Sequence, residues 1–93
     1  MNFWVVSYDI ANNQRRRKVS KLLEGYGRRA QFSVFECELS ADKLRQLEER
    51  LCKLIDVTED DVRFYPINKA DLKRVILVGK GELHRERSFY VVE

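Results

Sequence analysis

The sequence predicts an α+β sandwich in which two helices lie on one face of an antiparallel sheet. Three observations predict it. Two stretches repeat apolar residues at helical spacing, and runs of β-branched and aromatic residues with period-two alternation separate and follow them. With four Gly and a single Pro in 93 residues, few positions are set aside for loops, so most residues belong in helices or strands. The length corresponds to one domain spanning residues 1–93.

The elements follow in order. Residues 3–10 (FWVVSYDI) are apolar on both alternating faces, Phe3 and Val5 on one, Trp4, Val6, Tyr8 and Ile10 on the other, as a central strand requires. Asp9 ends it. Asn12 or Asn13 caps a helix in which Val19, Leu22, Leu23 and Tyr26 repeat at i, i+3, i+4 and i+7, with Gly27 as its stop. At about 100° per residue, Arg15 and Arg16 continue the apolar stripe toward the strand end and Asp9, whereas Arg17 and Lys21 point to water or a partner.

Residues 29–39 (RAQFSVFECEL) read as one long or bent strand, or as two short ones, with Glu36 and Glu38 on a shared face. Ser40 is the natural N-cap of a second helix, with Asp42 in its first turn and a stripe of Leu44, Leu47, Leu51, Leu54 and Ile55 reaching to about Leu54. Thr58 to Asp61 is a turn. Val62 to Ile67 alternates as a strand, and its Pro66 points to an edge position or a strand end. Arg74 to Val78 is another strand, broken by Gly79 and Gly81, and Ser88 to Val92 is a short terminal strand. If 29–39 supplies two strands or one long bent one, right-handed crossovers give a ferredoxin-like βαββαβ sandwich with an additional C-terminal strand.

So short a chain buries only about 60–65% of the surface its unfolded form exposes, which favours association, and a homodimer is expected. Eighteen Lys+Arg against fifteen Asp+Glu give a net charge of +3 and a pI near 9.0. Arg15, Arg16, Arg17, Lys18, Lys21, Arg28 and Arg29 make one half basic, and a dimer axis nearby would double that patch for a polyanion. A solvated helix face has the same appearance. Cys37 and Cys52 lack CxxC spacing, and with His84 the sole histidine a zinc or thiol-protease site is excluded. Both cysteines are expected as buried, small apolar residues, and His84 as an exposed loop residue. No GxGxxG, Walker loop, nucleophile elbow or HExxH occurs, which removes dinucleotide, P-loop, α/β-hydrolase and zincin chemistry. The apolar start is too short for a signal peptide or a spanning helix, so a cytoplasmic protein without a membrane partner is expected.

Asp9 is the candidate catalytic residue: a carboxylate at the end of a central strand, followed by an arginine-rich helix start, meets both metal and phosphate. Strand-end aspartates also serve simply as turn residues. Magnesium takes one or two protein carboxylates and keeps several waters, and two-fold symmetry would bring a second Asp9 to the first. Arg15, Arg16 and Arg29 are the candidates for neutralising charge on a reacting phosphate. Glu36 and Glu38 share a face, but a solvated strand edge accounts for them equally.

The segments VVSYDI, RRRK with its helix, YG and QFSVFE together resemble the small CRISPR-associated endoribonuclease family, the second of the core CRISPR adaptation proteins, over roughly residues 3–38. The resemblance implies a ferredoxin-like homodimer whose two Asp9 residues face each other and share one Mg2+. It also implies that Tyr8, Arg16, Lys18, Arg29, Ser33 and Phe35 take part in activity or substrate contact. Lys18 stands where some members carry arginine, so a planar fork is replaced by a point charge. The function implied is CRISPR spacer acquisition, with metal-dependent endonuclease action on single-stranded RNA or double-stranded DNA. A non-catalytic duplex-binding scaffold for the CRISPR integrase is one alternative, and a toxin-type RNA interferase of the same fold is another. The Ser88–Val92 strand would then dock on a sheet edge of the partner chain or of the integrase. An RNA-recognition module is disfavoured, because RRAQFSVFE lacks the required pattern of stacking aromatics.

Overall fold

The computed structural model describes residues 1–81 and the backbone of residues 91–92. Its elements are β1 (Asn2–Asp9), α1 (Asn13–Glu24), β2 (Arg28–Gln31), β3 (Val34–Leu39), α2 (Ala41–Leu54), β4 (Asp61–Ile67), a short α3 (Lys69–Leu72), β5 (Leu77–Val78) and β6 (Val91–Val92). The first four strands form an antiparallel sheet in the order β2-β3-β1-β4. This is the ferredoxin-like order, with β1 central and β4 at one edge. Pro66 therefore costs no interior ladder bond.

Period-two alternation assigns the two faces of β1. Val6, Tyr8 and Ile10 pack with Val19 and Leu23 of α1, Phe35, Cys37 and Leu39 of β3, and Leu47 and Leu51 of α2. Burying a leucine or phenylalanine side chain in such a cluster is worth about 1.5–3 kcal/mol. Phe3 and Val5 turn the other way, where Leu72, Val75 and Leu77 cover them. Cover on both faces explains why β1 reads as a continuous apolar run.

The helix starts are set by caps. The Asn12 side chain accepts the Arg15 N–H at 2.9 Å, and Ser40 Oγ accepts the Lys43 N–H at 3.2 Å. Segment 29–39 resolves into β2 and β3, joined at Phe32–Ser33. Three expectations are corrected. Helix α1 ends at Glu24, and Gly25, not Gly27, caps it by donating its N–H to the Leu22 carbonyl. Segment 74–78 is not a full strand: Asn68 caps α3 by accepting the Asp71 N–H, Leu72 and Val75 fold onto Phe3, and only Leu77–Val78 extends, pairing in parallel with Val91–Val92. Cys52 is exposed on α2, whereas Cys37 is buried, and burial pushes its thiol up to about 11. His84 and residues 88–90 lie outside the described residues. Among those described, no helix is long and apolar enough to cross a membrane.

Gly27 is required by close approach. A Cβ there would collide with the Glu36 carbonyl oxygen and the Cys37 sulfur and Cα of β3, and the backbone oxygen cannot rotate away. Gly27→Ala is therefore expected to destabilise the fold by about 1–3 kcal/mol, read as a lower urea midpoint at an unchanged m-value.

Candidate functional site

The site lies where β1 delivers Asp9. Tyr8 turns toward the helices and is 6% exposed, so alternation sends Asp9 to the opposite side, where it is exposed. Its carboxylate makes no hydrogen bond or ion pair with the described residues.

Two further elements reach this end. Ser7 opposes Val34 and the Tyr8 N–H donates to the Ser33 carbonyl at 3.1 Å, so the β2–β3 tip lies level with Asp9. On the other edge Asp9 opposes Asp61. Neighbouring side chains in such a pair lie with Cβ atoms about 4.5–5.5 Å apart, and two like charges there repel. Arg63 relieves this by donating its Nε–H to Asp61 at 2.7 Å, and its own pKa is raised by the Tyr65 hydroxyl and by Asp61. The sequence reading assigned Asp61 to a turn and missed it. Strand register, which decides that it faces Asp9, is a tertiary property with only a weak local signal, the alternation that puts Asp61 and Arg63 on one face.

The basic residues divide by what they already bind. Arg29 lies over the Phe35 ring, with Cζ 4.9 Å from the centroid, and donates to the Phe32 carbonyl and to Ser20 Oγ of α1. Arg16 donates to the carbonyls of Ile10 at 3.0 Å and Ala11 at 3.2 Å and to Asn13 Oδ1, bracing the turn that follows Asp9. Lys18 is exposed and unpaired among the described residues, on the shallow surface it shares with Gln14, Arg17 and Lys21.

Arg15 is a correction. Its Nε–H and Nη2–H donate to the two carboxylate oxygens of Asp60 at 2.7 and 3.2 Å, and Glu59 lies 3.9 Å away. The Asp60 side chain is 1% exposed, and a carboxylate removed from water in this way needs a charged partner. Arg15 is thus committed to the turn before β4 and is not free to meet a phosphate. Asp60 also accepts the Asp56 N–H at 2.9 Å. Arg15 first, then that N–H, hold the Asp60 carboxyl below the usual range. Asp56 is lowered in its turn by the Thr58 hydroxyl and N–H.

Tyr8 and Phe35 take a different place from the substrate contact expected of them. Phe35 is fully buried, and Tyr8 stacks against it at 6.4 Å while its hydroxyl donates to the Phe32 carbonyl at 3.4 Å. Their even register under the helices leaves them little surface, and they act by holding Arg29 and the tip. Ser33 is half-buried and contributes the carbonyl that ties the tip to β1. Asp9, Arg16, Arg29 and Ser33 are therefore brought together, Lys18 lies on the exposed side of α1, and Arg15 is drawn away. No group of three or more His, Cys, Asp or Glu side chains suited to a metal occurs among the described residues.

Comparison with known proteins places this geometry in context. The family model described as CRISPR associated protein Cas2 matches residues 1–75. A Synechocystis protein named CRISPR-associated endoribonuclease Cas2 3 is 42% identical over 92 residues, covering 99% of this chain and all of that protein. Among solved structures, a hypothetical protein from Thermus thermophilus superposes with a TM-score of 0.80 at 39% identity, over 88% of this chain and 95% of that one. A chain in a structure described as a partial Cas6-RT-Cas1–Cas2 complex superposes with a TM-score of 0.73 at 37% identity, over 81% of this chain and 88% of that one.

The Arg15–Asp60 pair predicts a pH dependence of stability. A carboxyl whose folded pKa is depressed contributes fully above its unfolded value, near 3.9, and loses that contribution as pH falls through the folded value. Asp60→Asn is expected to lower the urea midpoint at neutral pH and to flatten the loss of stability between about pH 5 and pH 3; parallel acid curves for the two proteins would count against the pair.

Proposed function

The chain belongs to the Cas2 family of CRISPR-associated proteins, and on that premise we propose that it works in spacer acquisition as a homodimer that grips a nucleic-acid phosphate backbone and cleaves it with a divalent ion held at Asp9. The observation that carries this reading is the exposed, unpaired carboxylate of Asp9 at the end of the central strand, with Arg16 and Arg29 fixed beside it. The relative named an endoribonuclease supports the reaction, and the neighbour solved in a complex with Cas1 supports the integrase as partner.

The donor set fits magnesium. An open carboxylate without protein partners suits an ion that keeps most of its waters and takes one or two protein carboxylates. Asp9 and its counterpart in a second chain would hold the ion, with Asp61 level with Asp9 as the nearest further carboxylate. Bound there, the ion would supply polarisation of a phosphoryl oxygen and a more acidic water. The chain's own residues do the rest. Arg29, held over Phe35, is a preformed cation for a non-bridging phosphate oxygen, so little conformational freedom remains to be lost on binding. Arg16 keeps the turn after Asp9 in shape, and Lys18 offers a point charge. None of these contacts carries base information.

One observation favours the scaffold reading as a second possibility. Arg17, Lys18 and Lys21 share an exposed face of α1, away from Asp9, and such a face supports a duplex through its backbone without any ion. A toxin-type interferase would instead cut without metal.

Cleavage of short RNA and of duplex DNA, with magnesium or with chelator, separates these readings. Asp9→Asn is expected to lower magnesium-dependent cleavage by about a hundredfold or more, since changes one shell further from a metal already cost about 10–100-fold, while the protein elutes at the same size. Equal cleavage by both proteins, or binding without cleavage by the wild type, replaces the nuclease reading with the scaffold; cleavage that survives chelation points to the interferase.

A further inference from the structure

The β2–β3 tip carries an anomaly of chemistry. The two residues that join the strands are Phe32 and Ser33, where Gly, Asn and Asp are the usual occupants, and Phe32 is 78% exposed. A phenylalanine ring in water contributes nothing to this fold.

The ring is nevertheless held in place. The Phe32 carbonyl accepts hydrogen bonds from the Tyr8 hydroxyl and from Arg29, and the next carbonyl, that of Ser33, accepts the Tyr8 N–H. Three bonds thus fasten the tip to the residue before Asp9, and Arg29 is itself fixed by Phe35 and Ser20. The neighbours of Phe32 along the hairpin are Arg28, Arg29, Ala30, Gln31 and Ser33, so the ring stands among polar and cationic groups and not in an apolar patch. A protein partner would call for a contiguous apolar surface around it. An exposed ring beside a guanidinium, level with an open carboxylate, is instead the pairing that holds an unpaired nucleotide, one group for the base face and the other for its phosphate.

We propose that Phe32 is a stacking platform for an unpaired base lying next to the phosphodiester at Asp9, so that the site takes single-stranded nucleic acid in preference to an intact duplex. In a duplex each base face is already covered by its neighbours and the ring has nothing to receive. The inference rests on the proposed nucleic-acid function and adds the substrate class and a residue that recognises it.

Binding is measured on the full chain in chelator, by anisotropy of a labelled single-stranded RNA, of a duplex of equal length and of a single strand whose central positions are abasic. Phe32→Ala is expected to weaken single-strand binding about tenfold, Phe32→Tyr to retain it, and Phe32→Ala and wild type to bind the duplex and the abasic strand alike. Equal single-strand affinity for Phe32→Ala and wild type, an equal loss on duplex and abasic strand, or a change in oligomeric size overturns the inference. Wild-type binding to duplex but not to single strands also overturns it and leaves the scaffold function standing, whereas no binding to any of the three removes the nucleic-acid function itself. Because no ion is present, the outcome does not depend on Asp9.

Discussion

Strand β1 is hydrogen-bonded on both edges and covered on both faces, and the rest of the molecule is arranged around that constraint. Its even residues must be apolar to meet α1 and α2, and its odd residues must suit the smaller cluster under α3 and β5. A strand so enclosed has one place for a charge, its end. Asp9 occupies that end, and its backbone position is fixed by β4 on one side and by the β2–β3 tip on the other. A carboxylate on such a support is held still by the whole sheet, although its own side chain has no partner.

The distribution of arginines follows from desolvation more than from net charge. Asp60 lies almost wholly out of water at the turn into β4, and an unpaired carboxylate there would be strongly destabilising, so Arg15 is drawn to it. Arg16 satisfies two carbonyls of the β1–α1 turn, and Arg29 is tied to the hairpin tip and α1. The cations left to face solvent are on the outer side of α1. Adjacent residues of one basic run thus have three different physical tasks, and Lys18, the one with a point charge on a flexible stem, is the least constrained.

Where local pattern and tertiary structure agree, the sequence was a good guide. The two faces of β1, both helices, their Asn12 and Ser40 caps and the ferredoxin-like order rest on periodicity and capping, which are written locally. The placing of Asp9 on the rim follows from the same alternation. The departures have long-range causes. Gly27 looked like a helix stop, because close approach to β3 cannot be seen until β3 is in place. Segment 74–78 has β-branched composition, yet Phe3 recruits Leu72 and Val75 and leaves only two residues extended. Arg15 sat on the correct side of the helical wheel for Asp9, but Asp60, 45 positions later, competes for it. Phe32 and Asp61 acquire their meaning from strand register alone.

One carboxylate per chain, on a rigid strand end, suits a metal site completed by a second copy of the chain. Calorimetric titration of magnesium into the assembled protein examines this most directly. One ion taken up per two chains, and lost in Asp9→Asn without dissociation of the dimer, is the predicted result. One ion per chain, or uptake that Asp9→Asn leaves unchanged, would contradict it.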